Sequence, residues 1–335
     1  MNPFNYQRAN APDAAIHAVS AHGAKFLGGG TNLVDLMRYG VENPTTLVDV
    51  NHLHLAEVTR AATGVTTIGA TVRNSDLANH ELIRTHYPLL SQALLNGASP
   101  QLRNMATTGG NLLQRTRCYY FMDTAFPACN KRNPGSGCAA LEGFNRIHAI
   151  LGASDQCIAT NPSDMNVALA ALNATIHVEG PKGKRTIAFR DFHLLPGSTP
   201  HIETSLKPDE LITAVELPPA KFAKNSYYLK VRDRQSYAFA LVSVAAGLEL
   251  EGNTIKSAGL ALGGVALKPW RSLEAEKVLI GAAPSPAVFK KAADLLVAGA
   301  KPLEHNAFKI ELARQSIVTA LTRAVHPEQR QGVQA

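Results

Sequence analysis

Four cysteines, Cys118, Cys129, Cys138 and Cys157, are the only thiols in a chain of 335 residues, and all lie within forty consecutive positions. Thiolates can ligate soft metals, and thiols can pair as disulfides. Ten, eight and eighteen residues separate them. Structural zinc sites usually draw their cysteines in pairs roughly two to four residues apart, and no such pair occurs. Disulfides staple small exported domains that lack a core, whereas a chain this long can bury one unaided. An iron–sulfur cluster ligated by four cysteines accepts loosely spaced ligands in a loop-rich segment. Asn133-Pro134-Gly135-Ser136-Gly137, inside the window, is loop chemistry. On spacing alone, cluster, disulfide and zinc all remain open. Arg115, Arg117, Lys131, Arg132 and Arg146 crowd the window with few acids among them, so they are expected to favour a negatively charged centre.

Two glycine loops flank this window on one side. Gly28-Gly29-Gly30-Thr31-Asn32 follows an apolar stretch and precedes a helix start. Such loops let a backbone approach a phosphate and present consecutive N–H groups to it. The triplet lacks the third glycine of a dinucleotide fingerprint, and no Lys-Ser/Thr follows as in a Walker loop. Alone it reads as a turn. Thr107-Thr108-Gly109-Gly110-Asn111 repeats the chemistry, with hydroxyls, glycines and an amide. Two such loops suggest two sides of one phosphate-bearing cofactor. Beyond the cysteines, Ser163 precedes a helical pattern as an N-cap, and Lys230 reads as a charge on a strand.

The elements that must carry these residues follow from periodicity. Helices are expected at Pro12–His22, from Leu33, from Asn74 or Ser75 to about Thr85, at Pro88–Gly97 and at Asp164–Leu172. Strands are expected at Lys25–Leu27, Leu47–Val50, Val65–Ala70, Ala174–Val178 and Arg185–Phe189. A boundary is expected at Pro218-Pro219. Past it, strands at Tyr227–Val231, Ala238–Glu249 and Ile255–Leu262 precede helices at Pro286–Ala298 and Phe308–Ala324. Strands first and helices after make an α+β unit. The tail from His326 is expected to be disordered.

Apolar residues make up 45% and charged residues 18%, an ordinary globular composition. The net charge of +7 is scattered, which argues against nucleic-acid binding. No apolar run reaches the roughly twenty residues that cross a bilayer. Met1–Arg8 lacks a signal pattern, so the chain is expected to be soluble. Any export would be in folded form with a partner that carries the signal. No catalytic triad or metal-hydroxide site is found, so no catalytic side chain is expected here.

Phe26–Leu33, Arg103–Asn111 and Asn161–Asp164, in this order, resemble the three flavin signatures of the medium subunits of molybdenum hydroxylases. These are the xanthine dehydrogenase, carbon monoxide dehydrogenase and aldehyde oxidoreductase enzymes. The resemblance runs from Phe4 to about Val325. It implies an α+β FAD-binding domain of the vanillyl-alcohol-oxidase type, in two subdomains, over residues 1–218. A smaller α+β C-terminal domain follows over 219–325. It implies FAD held by Phe26, Leu27, Gly28, Gly29, Gly30, Thr31, Asn32, Leu33 and Val34. Ala106, Thr107, Thr108, Gly110, Asn111, Ser163, Asp164, Leu211 and Lys230 complete the implied set.

Most such subunits keep the second and third signatures close together. Here an insertion over about 115–160 separates them and holds every cysteine. That departure resembles the bacterial periplasmic aldehyde oxidoreductases and, more distantly, the 4-hydroxybenzoyl-CoA reductases. It implies a [4Fe–4S] cluster on Cys118, Cys129, Cys138 and Cys157. The implied activity is electron transfer in a heterotrimer with a large molybdenum-cofactor subunit and a small [2Fe–2S] subunit. FAD would pass electrons to an external acceptor. The implied compartment is the periplasm, with the cytoplasm as the alternative. No histidine adjoins the loops, His22 being nearest, so FAD is expected to be non-covalent. A stand-alone flavin reductase of the same fold and a zinc-stapled binding module are the rival readings.

Overall fold

The computed structural model describes residues 1–326. The tail expected to be disordered therefore lies, after His326, outside the described residues. Three sheets organise the chain. Asn5–Arg8 (β1), Ala24–Leu27 (β2) and Thr46–Asp49 (β3) form a parallel sheet in the order β1-β3-β2, with Phe26 opposite Val48. Parallel neighbours need crossover connections, and the helices Pro12–Val19 and Leu33–Arg38 lie in the two connections. Ile16, Val19, Val48 and Leu53 make the core beneath this sheet.

Val58–Arg60 (β4), Thr66–Gly69 (β5), Thr175–Gly180 (β6), Gly183–Ala188 (β7) and Leu211–Leu217 (β8) form an antiparallel sheet in the order β4-β5-β8-β6-β7. Asn225–Val231 (β9), Val242–Glu251 (β10) and Thr254–Gly263 (β11) form the third, also antiparallel, in the order β11-β10-β9. The helices Pro286–Leu296 and Phe308–Val325 share its apolar core. Asp164–Ala171 is buried at every position. It touches β10, β11 and the helix Pro88–Asn96, as expected of a core helix without a polar face. The fold is α+β.

Some elements differ from expectation. The helix expected over 74–85 is two helices, Asn74–Asn79 and Glu81–His86. His80 is extended between them, and its Nδ1 accepts the Leu82 N–H at 3.3 Å, starting a new helix where the first ends. The first helix stops at Val19, not His22, because Gly23 at φ +76° turns the chain into β2. β10 begins at Val242, not Ala238. Tyr237 at φ +52° cannot join a strand, and the segment before β10 is a loop.

Candidate cofactor site

The first glycine loop leaves the C-terminal end of β2 and meets the second loop at close quarters. A Cβ on Gly29 would lie 2.0 Å from the Met105 carbonyl oxygen, and one on Gly28 would lie 2.7 Å from Thr107 Oγ1. Gly30 adopts φ +75°. The glycines thus serve loop-on-loop packing as well as backbone freedom. Asn51 Nδ2 donates to Gly28 O at 2.9 Å and holds the loop from below. Among the described residues, no acceptor takes a hydrogen bond from the amide groups of Gly29, Gly30 or Thr31. Asn32 Oδ1 accepts the Arg115 N–H at 3.1 Å, while its Nδ2 is buried without a partner.

The second loop opens the short helix Thr108–Leu112. Thr107 Oγ1 caps it by accepting the Gly110 N–H at 3.1 Å. Thr108 donates to Val72 O at 3.1 Å, so both hydroxyls are spent inside the protein. Asn111 Oδ1 accepts from Ser163 Oγ at 2.6 Å, which in turn accepts the Asn166 N–H at 3.1 Å. Ser163 therefore both caps its helix and ties the third signature to the second. Asp164 accepts from Tyr228 OH and from Lys230 Nζ, each at 2.7 Å. Burial, with the Asp164 charge, pushes the Tyr228 hydroxyl well above its ordinary range.

Gly30, Thr31, Asn32, Val34, Ala106, Gly110, Asn111 and Asp164 line one cavity of about 780 Å³. That is within the range of roughly 300–1,000 Å³ usual for ligand sites. The remaining expected residues stand elsewhere. Phe26 and Leu27 belong to β2, and Leu33 starts the helix that follows the loop. Leu211 is packed in the core beneath the first sheet. Lys230, 2% exposed in its side chain, lies behind Asp164 and also donates to Asn96 O at 2.9 Å. The cavity's far wall is the loop Asp233–Phe239, with Arg38, Arg103 and Arg117 also lining it. Sequence reading missed this wall. Its one signal was the run Arg232-Asp233-Arg234, too polar to begin a buried strand. A second cavity of about 280 Å³ shares Arg117, Pro162, Asp164 and Phe239 with the first. Arg117 reaches across both, ion-paired with Asp35 and stacked 5.5 Å from the Phe239 ring.

The cysteine window packs as a core of its own with Phe121, Ala140, Ile158, Leu36 and Leu267. Cys129 and Cys138 face each other across a short antiparallel bridge. All four thiols are unpaired, and Cys118, Cys129 and Cys157 are buried. Burial, together with the neighbouring Cys157 and Cys129, pushes the Cys118 thiol up to about 12. Burial also lifts Cys157 to about 11, where Lys131 opposes and Cys138 and Cys129 add to the rise. Cys118 thus feels Cys157 and Cys129, and Cys157 feels Cys138 and Cys129. Among the described residues, no group of three or more His, Cys, Asp or Glu could hold a metal ion. A four-iron centre asks for a wider arrangement, since each thiolate binds a different corner of the cube. Four unpaired thiols, three of them buried, are the donor type such a centre takes.

The cations around the window do not stand unopposed as expected. Arg115 pairs with Glu42 and with Glu203, the latter at 2.9 Å, and Lys131 pairs with Glu203 at 3.0 Å. Arg146 pairs with Asp233 at 2.8 Å. Arg132 clamps the Tyr120 and Phe121 carbonyls at 2.8 and 2.9 Å. The acids come from outside the window, where local counting could not find them. Lys131 and Arg115 hold the half-buried Glu203 carboxyl below its usual range against the pull of desolvation.

Comparison with known proteins is consistent along the whole chain. The family described as "FAD binding domain in molybdopterin dehydrogenase" matches residues 2–220, and the "CO dehydrogenase flavoprotein C-terminal domain" matches 227–326. The aldehyde oxidoreductase FAD-binding subunit PaoB of Escherichia coli (strain K12) is 54% identical over 326 residues, covering 97% of this chain and 99% of that protein. The carbon monoxide dehydrogenase medium chain of Afipia carboxidovorans is 26% identical over 325 residues, covering 96% and 95%. Among solved structures, the CO dehydrogenase of Oligotropha carboxidovorans superposes with a TM-score of 0.76 at 24% identity, covering 96% of this chain and 98% of that one.

Proposed function

Because the chain belongs to the FAD-binding medium subunits of the molybdenum hydroxylases, the xanthine dehydrogenase family, we propose that it is the electron-transfer flavoprotein of a heterotrimeric aldehyde oxidoreductase. The observation that carries this is the meeting of three signature loops on one cavity, lined by Gly30 and Thr31, whose amides donate to no backbone acceptor among the described residues, and by Asn32, whose Nδ2 has no partner there. Free amides at Gly29–Thr31, just ahead of a helix, suit a pyrophosphate. Asn111, held by Ser163, and Asp164, held by Lys230 and Tyr228, present fixed polar groups on the opposite side. The bound FAD supplies the electron chemistry that side chains cannot. The chain's residues bind it, orient it and wall it with Phe239 and Arg117. Lys230 and Leu211 act from behind the wall in this reading, by fixing Asp164 and the first sheet.

The finer parts of the reading are these. Cys118, Cys129, Cys138 and Cys157 hold a [4Fe–4S] cluster. Four unpaired thiols, three of them buried, support it. The flavin domain covers 1–218, the insertion 115–160 and the C-terminal domain 219–325. The partners are a large molybdenum-cofactor subunit and a small [2Fe–2S] subunit, and an external acceptor takes the electrons. The compartment is the periplasm, reached folded with a signal-bearing partner. Among the described residues, no helix is long and apolar enough to cross a membrane.

Anaerobic purification of the native assembly tests all of this. The expected result is one chain-equivalent of flavin, released by acid, and about four irons per chain, co-eluting with two further subunits. A lone active species, or zinc without flavin, refutes the reading. Fractionation of the native host for the assembled complex decides the compartment.

A further inference from the structure

We infer that His148 is a positioning residue for the cysteine centre: its Nε2–H donates to the Cys118 sulfur and raises the reduction potential of the cluster held there. This rests on the cluster reading above. Nε2 lies 3.1 Å from Cys118 Sγ, and both residues are buried. A metal-bound thiolate carries no proton and can only accept, so the hydrogen of that contact belongs to Nε2. The other nitrogen, Nδ1, is buried with no partner.

The ring is held to this task. Tyr119 and Tyr120 flank it, with ring centroids 6.4 and 6.1 Å away. The backbone is pinned from the far side, where His148 O accepts from Lys309 Nζ at 2.8 Å. Lys309 also donates to Gly264 O at 2.5 Å, so a fully buried lysine clamps the end of the insertion to the C-terminal domain. Hydrogen bonds to cluster sulfurs stabilise the reduced, more negative state. One electron enters and leaves, and no proton crosses the contact.

The test uses the full chain, purified anaerobically with its cluster, as wild type, His148→Leu and His148→Gln. Iron analysis comes first, then an EPR-monitored titration with dithionite. His148→Leu is expected to keep its iron and lose about tenfold in the reduction equilibrium, a fall of about 59 mV for one electron. His148→Gln, which can still donate, should recover most of it. An unchanged potential in an iron-replete His148→Leu overturns the inference. If that variant fails to assemble, pulsed EPR on wild type with 15N-labelled histidine decides. A weakly coupled nitrogen supports the contact, and a strong coupling means direct ligation and overturns it. Wild-type chain without iron overturns the cluster reading itself, a distinct outcome.

Discussion

Replacing Lys230 by methionine separates two roles that a flavin-site lysine could have. Its ammonium is 2.7 Å from Asp164 Oδ2, with the two side chains 2% and 8% exposed. Removing one partner of a buried ion pair leaves an uncompensated charge, at a cost of about 3–5 kcal/mol. Asp164 would keep only the Tyr228 hydroxyl, and the Asn96 carbonyl would lose the lysine as a donor, keeping Arg232 at 3.0 Å. Lys230→Met should therefore destabilise the flavin-free chain by about 3 kcal/mol or more. Asp164→Asn should cost a similar amount, because it strands the ammonium. The double variant should recover about 1–3 kcal/mol relative to the sum of the two, since the stranded charges vanish together. Urea unfolding of the apo chain, followed through the single tryptophan, Trp270, measures all three at constant m-value. If Lys230→Met leaves apo stability intact while weakening FAD binding, the lysine is a direct flavin contact and the ion-pair reasoning fails.

Three further outcomes are expected. Gly29→Ala drives a Cβ to 2.0 Å from the Met105 carbonyl, and the overpacking cost of about 1–3 kcal/mol should weaken FAD by about 5- to 150-fold, read by flavin fluorescence titration of the apoprotein. Cys118→Ser should lose iron while retaining FAD, by metal and flavin analysis, and joint loss of both would mean that the window is part of the flavin core. His193 is buried and depressed to about 4, mainly by desolvation. Its neutral folded form makes stability fall as pH drops from about 6.5 toward 4, by up to about 3 kcal/mol. His193→Asn should flatten that arm of the urea-midpoint profile, and an unchanged slope would place the acid sensitivity elsewhere.

The three loops were legible because each is a local pattern with a local reason. Glycines permit close backbone approach, and the Ser163 cap forms as the sequence indicates; the Thr107 cap was not read from sequence. The α+β order was legible for the same reason, since periodicity survives in each element. What sequence hid is long-range. Asp233–Phe239 closes the cavity from more than a hundred residues beyond the glycine loops. Glu42 and Glu203 neutralise cations that have few acids in their own segment. Lys230 sits on a strand as read, yet only the packing of β9 against the helix Pro88–Asn96 brings it under Asp164. Each of these depends on which elements meet, and no single window of sequence carries that.

The hydrogen bond from Ser163 Oγ to Asn111 Oδ1, at 2.6 Å, has a bearing on how such a protein could arise. It closes the neck of the cysteine insertion, so the flavin loops are joined through space whatever the chain does between them. Once a neck is fixed, lengthening the loop above it costs only about 0.6 kcal/mol for each doubling. The neck is thus a permissive port at which sequence could be gained, tried and kept without disturbing the older cofactor. The module has since grown roots: Leu36 and Leu267 lend it apolar cover, and Lys131 shares Glu203 with Arg115. Excising it today would bare two leucines and strip the half-buried Glu203 carboxylate of both Lys131 and Arg115, a mark of how far an addition has become a dependency.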